Sequence, residues 1–129
     1  MTTSLTESPL APDYDRSSMT TGIVHIGVGG FHRAHEAAYL DRLMRRRAGS
    51  ASPEGSCLDW GICGVGLLPG DARMRDALEG QDHLYTLILK HPGGLRDPVV
   101  IGSIHDYLFA PDAPEAVLTL MSAPTTRIV

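Results

Sequence analysis

Short apolar runs alternate with amphipathic stretches in the first part of the chain. Residues 22–28 and 60–66 are nearly continuous apolar runs containing glycine and β-branched side chains, which is typical of strands buried on both faces. Residues 32–47 carry apolar side chains at intervals of three and four, and this spacing predicts an amphipathic helix. A shorter stretch of the same kind predicts a second helix over residues 71–81.

The rest of the chain continues the alternation with shorter elements. Residues 84–90 and 99–109 are predicted to be extended, the second segment with a kink near Asp106. Residues 114–122 are predicted to form a helix with proline in its first turn, where a missing amide proton costs nothing. Residues 127–129 begin a further strand.

This order of elements predicts an α/β fold with one main domain. Strands that alternate with helices form a Rossmann-like parallel sheet with crossover helices, and such sheets bind ligands at the carboxyl ends of their strands. Residues 1–20, rich in Thr, Ser, Pro and Asp, predict a flexible, loosely packed N-terminal arm. Residues 21–129 are predicted to be the N-terminal part of the domain. Because the sequence ends at the start of a strand, we expect an incomplete sheet.

Composition and charge narrow the class of protein. The 129 residues are 43% hydrophobic and 20% charged, as in ordinary globular proteins. The formal net charge of −4 argues against nucleic acid or an anionic membrane as the main partner. No signal peptide or membrane span is recognisable, so a reducing cytoplasm is expected. Cys57 and Cys63 are too few for a disulfide framework, and Cys63 is predicted to be a buried small side chain.

A glycine-rich loop between the first strand and the first helix is the most informative stretch. Gly27 can make the tight turn, and Gly29, which has no Cβ, lets the backbone approach a pyrophosphate. Amide groups at the start of the helix favour that anion, and Arg33 can add a bidentate contact. The usual third glycine is replaced by His32, which would hold the helix further from the strand or move the close contact to Ala34. The alternative is a glycine-rich turn without a ligand.

A second candidate residue follows the second strand. Asp71 lies where a carboxylate can accept hydrogen bonds from the adenosine ribose and repel a 2′-phosphate, which favours NAD over NADP. Its distance from the glycines exceeds the usual spacing of about 20 residues because the loop at residues 48–59 intervenes. Asp71 can also simply cap the following helix. Arg73, two residues further on, weakens the predicted preference.

The loop belongs to a longer recognisable motif. Residues 23–35, which read Ile-Val-His-Ile-Gly-Val-Gly-Gly-Phe-His-Arg-Ala-His, strongly resemble the N-terminal signature of the mannitol dehydrogenase family, the long-chain polyol-specific dehydrogenases. Further matches are residues 59–67, 81–87 and 101–104. The resemblance covers most of residues 14–129.

The resemblance implies an oxidoreductase that interconverts a polyol and its ketose with NAD, D-mannitol and D-fructose being the leading pair. In the family, the residue matching Asp71 discriminates NAD from NADP, and an acidic residue commonly precedes it. Here that position is Gly70. The residues predicted to bind the cofactor are the loop, the start of its helix and this acid: Ile26, Gly27, Val28, Gly29, Gly30, Phe31, His32, Arg33, Ala34 and Asp71.

The resemblance also implies that the chemistry is performed outside this sequence. The family's catalytic lysine and its assisting Asn and His lie in a mostly helical C-terminal domain, so we predict no catalytic residue here. Relatives of the family that reduce fructuronate or tagaturonate are an alternative. Two further alternatives remain open: a non-catalytic nucleotide-binding module, and a chain that does not fold stably without its later strands.

Three further groups of residues are interpreted structurally. His32 and His35 can share a helix face, but we find no carboxylate or third histidine placed to complete a metal site and predict none. Lys90 is predicted to be a solvated residue at a strand end rather than a base. The basic residues 45–47 are predicted to be a solvated helix end, where cations interact favourably with the helix dipole.

Overall fold

The structure, a computed structural model, describes residues 9–129 apart from the side chain of residue 53. Its strands are β1 (Thr21–Ile26), β2 (Gly61–Gly66), β3 (Tyr85–Lys90), β4 (Arg96–Ile101) and β5 (Ile104–Phe109). Its α-helices are α1 (Gly30–Ala34), α2 (Glu36–Arg46), α3 (Pro53–Ser56), α4 (Ala72–Glu79) and α5 (Pro114–Met121). Single turns of 3₁₀ helix occur at Arg16–Ser18, Leu58–Trp60 and Pro69–Asp71.

The parallel sheet has the strand order of a Rossmann-type fold. β2 lies between β1 and β5, and both pairs are parallel. On the other side of β1, Ile128 forms a parallel bridge with Ile23, and the Val24 amide donates to the Ile128 carbonyl at 2.9 Å. The order is therefore β5, β2, β1 and the segment at Ile128. The chain reverses its direction of winding at β1, which makes the carboxyl end of β1 the topological switch point.

The expected third strand of this sheet is instead part of a hairpin. β3 pairs antiparallel with β4, and the two form a separate sheet. The tight turn between them uses Gly93 and Gly94, both with φ near +90°. Alternate residues of β3 are exposed, including the apolar Ile88. The strand therefore has one solvated face, although its sequence is that of a strand buried on both faces.

The segment at residues 99–109 is two strands rather than one kinked strand. The chain leaves the hairpin at Gly102 and Ser103 and enters β5. Near Asp106 the pairing of β5 with β2 is irregular, because the register shifts between Ile104 and Asp106. Gly102 is required at the junction because a Cβ there would lie 2.8 Å from Cγ of Pro12 and 2.9 Å from the Tyr14 hydroxyl oxygen. Ser103 is fully buried, and its hydroxyl donates to the Ala37 carbonyl at 2.5 Å.

The helix predicted over residues 32–47 begins earlier and has a break. α1 starts at Gly30, and His35 leaves helical geometry with φ −120° and ψ −87° before α2 begins. The His35 amide still donates to the carbonyls of Phe31 and His32, so the two helices are joined by one distorted turn. The predicted 48–59 loop contains the short helix α3.

The core lies on both faces of the parallel sheet. On one face Ile23 and Ile62 pack against Ala37 of α2 and Leu78 of α4. On the other face Val24 and Val65 pack against Val117 of α5, together with partly buried residues of that helix. The alternation along β1 therefore directs successive side chains to opposite helical layers. This arrangement confirms the predicted α/β class.

The described part of the N-terminal segment is packed rather than loose. Tyr14 and Met19 are buried against Met44 and Leu58. The Arg16 guanidinium donates to the carbonyls of Gly102, Asp82 and Ile104. Residues 9–20 therefore differ from the expected arm, while residues 1–8 lie outside the described residues. Within the described part of the chain, no helix has the length and apolar character needed to cross a membrane.

Arg45 differs from the solvated helix end that was predicted. Its guanidinium lies 2.7 Å from the buried carboxylate of Asp41 and also donates to the carbonyls of Ala11 and Val100. The residue ties α2 to the N-terminal segment and the hairpin. By contrast, Lys90 is exposed, as predicted.

Candidate functional site

The glycine loop lies at the carboxyl end of β1, at the switch point of the sheet. Gly27 has φ +88°, a left-handed conformation that favours glycine, and its amide donates to the Val65 carbonyl at 2.8 Å. A Cβ built at Gly27 or at Gly29 has no atom within 4 Å. The backbone of both residues therefore borders open space, into which a ligand can come close.

The first turn of α1 follows the loop directly. Gly29 is the N-cap residue, and the amides of the first helical turn have no carbonyl partner within the helix. The Arg33 side chain folds back so that its Nε donates to the Gly29 carbonyl at 3.2 Å. The Tyr85 hydroxyl donates to the Arg33 carbonyl at 2.6 Å and so ties α1 to the hairpin. The Arg33 side chain thus holds the loop at Gly29, and the Tyr85 hydroxyl holds the helix that follows it.

His32 occupies the place of the third glycine by stacking on a neighbour. Its ring lies 3.7 Å from the ring of His25, and the residue is only 5% exposed. Burial, followed by the positive charges of His25 and Arg33, lowers the pKa of His32 to about 4, so its ring is neutral at neutral pH. The close contact between layers occurs at Gly64, where a Cβ would lie 2.4 Å from Cγ2 of Val28.

Asp71 lies in the turn that joins β2 to α4. Its Oδ2 accepts a hydrogen bond from the Leu68 amide at 3.0 Å, and its side chain makes no capping bond to α4. Asp71 therefore caps the start of the 3₁₀ turn Pro69–Asp71, which leads directly into α4, rather than α4 itself. Gly66 lets this turn approach β2, because a Cβ at Gly66 would lie 2.7 Å from the Asp71 Cβ.

Two cavities border the loop and bring most of the candidate residues together. Arg33 and Asp71 line one of about 540 Å³ together with Arg73, Met74 and Tyr85. The second, of about 390 Å³, is lined as follows: His25, Gly27, Gly29, Phe31, His32 and Glu36.

Not every predicted residue faces these cavities. The Val28 side chain is buried in the core and Ala34 is half-buried. Phe31 lines the second cavity, although it is 80% exposed and its ring stacks on His35 at 4.0 Å. Ile26 is 44% exposed at the end of β1. Val28 can therefore contact a ligand through its backbone but not through its side chain.

Sequence reasoning missed several residues of the site. Tyr85 carries no signal in the sequence, because no spacing connects the hairpin to the loop. Glu36 was missed although it stands four residues after His32, which places both on one helix face. The structure separates His32 from His35, whose Nδ1 lies 2.7 Å from the Phe31 carbonyl oxygen. Cys63 is buried as predicted, and burial raises the pKa of its thiol to about 12.

Comparison with known proteins identifies the fold and the motif. The family model described as the mannitol dehydrogenase Rossmann domain matches residues 21–129. The chain belongs to the mannitol dehydrogenase family. The resemblance inferred from the loop motif is thereby confirmed, and the glycine loop is the N-terminal motif of a member of this family.

Curated relatives in the mannitol dehydrogenase family are similar over nearly the whole chain. Mannitol 2-dehydrogenase of Pyricularia oryzae is 52% identical over 118 residues, and that of Aspergillus clavatus is 55% identical over 119 residues. Each alignment covers 92% of this chain but 22% of the relative. The chain therefore spans about a fifth of the length of these relatives.

Solved structures of the family share the fold. The ternary complex of Pseudomonas fluorescens mannitol 2-dehydrogenase with NAD and D-mannitol is 42% identical, with a TM-score of 0.80, over 93% of this chain and 23% of that one. A D-sorbitol dehydrogenase in substrate-free form is 38% identical, with the same TM-score, over 92% of this chain and 23% of that one.

Proposed function

We propose that this chain is the coenzyme-binding part of an NAD-dependent oxidoreductase that interconverts a polyol and its ketose, D-mannitol and D-fructose. The observation that carries the proposal is the open backbone at Gly27 and Gly29, at the switch point of a Rossmann-type sheet. A relative also supports the proposal, because the Pseudomonas fluorescens mannitol 2-dehydrogenase structure is a complex with NAD and D-mannitol.

The residues present fit the dinucleotide in charge and shape. The pyrophosphate is a dianion that needs close amide donors, and the loop offers amides next to positions where a side chain is missing. Arg33 adds a positive charge at the cavity that it shares with Asp71. Its Nε is held by the Gly29 carbonyl, which leaves the terminal nitrogens as donors to phosphate.

The adenosine end is assigned to the cavity of Arg33 and Asp71. The Asp71 carboxylate is half-buried, and its Oδ2 is oriented by the Leu68 amide, so that Oδ1 is available to ribose hydroxyls. A 2′-phosphate in the same place would meet a negative charge, which supports NAD as the preferred coenzyme. Arg73 lines the same cavity and reduces the strictness of that preference.

In the proposed enzyme, this domain binds the coenzyme and residues outside this chain perform the catalysis. When bound, the nicotinamide supplies the hydride acceptor or donor for the carbinol carbon. This chain binds and orients the dinucleotide, and the catalytic groups and the polyol pocket belong to the portion of the relatives that it does not cover. We place the enzyme in the cytoplasm, with a small polyol or ketose rather than nucleic acid or a membrane as its partner, in keeping with the net charge of −4.

Calorimetry with NAD and with ADP-ribose tests the proposal directly. We expect the 129-residue chain to bind both, and a Gly29→Ala variant to lose roughly tenfold or more in affinity because the new methyl group fills the space of the phosphates. Gly55→Ala is the matched control, since Gly55 lies in α3 away from the loop and meets only serine side chains. Equal binding by both variants, or none by the wild-type chain, would contradict the proposal.

A further inference from the structure

The hairpin of β3 and β4 has one covered edge and one open edge. On the outer side of β4, Leu10 forms a parallel bridge with Val99, and the Val100 amide donates to the Leu10 carbonyl at 3.1 Å. β3 pairs with β4 on one side, and within residues 9–129 no backbone hydrogen bond joins its other side to another element. An edge of this kind can accept a further strand.

Pro98 shows which backbone groups of β3 point away from the hairpin. Ile88 is opposite Pro98, which has no amide proton, so the two residues form a non-hydrogen-bonded pair. Hydrogen-bonded and non-hydrogen-bonded pairs alternate along an antiparallel ladder, so the residues on either side of Ile88 are the ones that bond to β4. The amides and carbonyls of Thr86, Ile88 and Lys90 consequently point outward.

The exposed face of β3 is formed by the same three residues. Their side chains are exposed, whereas Leu87 and Leu89 between them are partly buried and line a cavity shared with α2. Ile88, at the centre of the edge, is 47% exposed. Proteins commonly protect an open edge with a charge, a proline or a bulge. In β3 the only such feature is Lys90, at the end of the strand.

We propose that the open edge of β3 binds the same edge of a second copy of this chain, so that two hairpins form one four-stranded antiparallel sheet. The edge is self-complementary about a two-fold axis at Ile88. Ile88 then lies opposite Ile88 of the second copy, and Thr86 lies opposite its Lys90. Each of these pairs can exchange backbone hydrogen bonds, and the two isoleucines form an apolar cross-strand pair.

The charges on the edge select this register. The two Lys90 residues are then four positions apart along the strand direction, about 14 Å at roughly 3.4 Å per residue, which exceeds the Debye length of about 8 Å. A register centred on Lys90 would instead place the two ammonium groups opposite each other, which is destabilising. Because Leu10 covers the outer edge of β4, association through β3 stops at two copies.

The contact is small, which sets the expected strength. Two paired strands of six residues bury much less than the roughly 800 Å² per partner of a standard interface. We therefore expect a reversible dimer with a dissociation constant on the order of 0.1 mM.

Sedimentation velocity of the 129-residue chain, from about 5 µM to about 1 mM, tests the proposal across that value. We expect a monomer–dimer equilibrium. Ile88→Lys should weaken association by roughly tenfold or more, because it replaces an apolar pair with two like charges. Leu95→Lys is the matched control, since Leu95 is 66% exposed but lies in the turn of the hairpin, outside β3.

Amide hydrogen exchange locates the contact. The amides of Thr86, Ile88 and Lys90 should become protected as the concentration rises, whereas those of Leu87 and Leu89 should be protected at every concentration. Thr86→Pro removes one outward amide and leaves the bonds to β4 in place, since proline is tolerated where an edge amide faces solvent. Retained protection at Leu87 and Leu89, with unchanged thermal unfolding midpoints, would verify that each variant folds.

The possible results separate clearly. Concentration-dependent protection of the outward amides, with association weakened in Ile88→Lys and Thr86→Pro but not in Leu95→Lys, supports the interface. A monomer at every concentration, assemblies larger than two copies, or equal association in all variants would overturn it. No coenzyme takes part, so the outcome is independent of the proposed function.

Discussion

Removal of the Asp41 carboxylate should destabilise the fold more than any surface change. Asp41 is 1% exposed, and its Oδ1 accepts from the Tyr14 hydroxyl and from the Gly102 amide at 3.0 Å. Its Oδ2 accepts from Arg45 at 2.7 Å. These contacts join the N-terminal segment, α2 and the junction between β4 and β5. The variant to make is Asp41→Ala.

The magnitude follows from what the substitution leaves behind. The Tyr14 hydroxyl and the Gly102 amide lose a buried acceptor, at about 1–3 kcal/mol each. Arg45 keeps its carbonyl partners but loses its counter-charge, and breaking a buried ion pair on one side costs about 3–5 kcal/mol. Because these costs overlap, we expect a loss of about 3–5 kcal/mol in the free energy of unfolding.

Urea unfolding followed by circular dichroism measures this loss. With an m value of about 1.5 kcal/mol/M, the midpoint should fall by roughly 2–3 M. Asp97→Ala is the control, since the Asp97 side chain is 55% exposed and, among the described residues, pairs only with His91 at 3.9 Å. Its effect should stay below about 1 kcal/mol. A loss below about 1 kcal/mol for Asp41→Ala would refute the assignment of Asp41 as the hub of these contacts.

Three further predictions concern the loop and the site. The low pKa of His32, about 4 against 6.5 unfolded, means that its contribution is complete above pH 6.5 and lost as pH falls towards 4. His32→Gln should therefore flatten the stability profile over this interval by about 3 kcal/mol, measured by urea unfolding at each pH. Gly27→Ala and Gly49→Ala, both at φ +88°, should each cost about 1 kcal/mol by thermal unfolding, but only the first should also weaken NAD binding in calorimetry. Asp71→Ser should raise the affinity for NADP relative to NAD by roughly tenfold, and an unchanged ratio would exclude Asp71 from the ribose site.

The local pattern was sufficient to predict the first two strands of the parallel sheet and the loop between strand and helix. β1 and β2 are largely apolar because both faces of the sheet are covered by helices, and that pattern is visible in a single sequence. Gly27 and Gly29 follow the first strand and precede a helix, so the loop and its candidate role could be inferred before the structure. The same holds for α5, whose proline stands in the first turn.

The hairpin could not be predicted from local pattern. Leu84 to Lys90 is as apolar as a central strand, and its exposed face is apparent only when Ile88 is seen to be solvated. The break at Gly102 depends on contacts with Pro12 and Tyr14, which are distant in sequence. Tyr85 and Arg45 acquired their roles in the same way, through partners more than 50 residues apart.

The His25–His32 stack has a similar origin. Neither residue signals the other in the sequence, because one belongs to a strand and the other to a helix across a left-handed turn at Gly27. The sequence therefore does not show that His32, at the position of the third glycine, stacks on His25. In the structure the larger side chain is accommodated by stacking, while the close approach is provided by Gly64 on the neighbouring strand.

Amide chemical shifts of the ¹⁵N-labelled chain, recorded as ADP-ribose is added, test the central claim most directly. If the loop binds the linked phosphates, the largest shifts will occur at the amides of Gly29, Gly30 and Phe31, with smaller ones around Asp71. Shifts confined to other parts of the chain, or loop amides that remain unperturbed at saturating ligand, would contradict it.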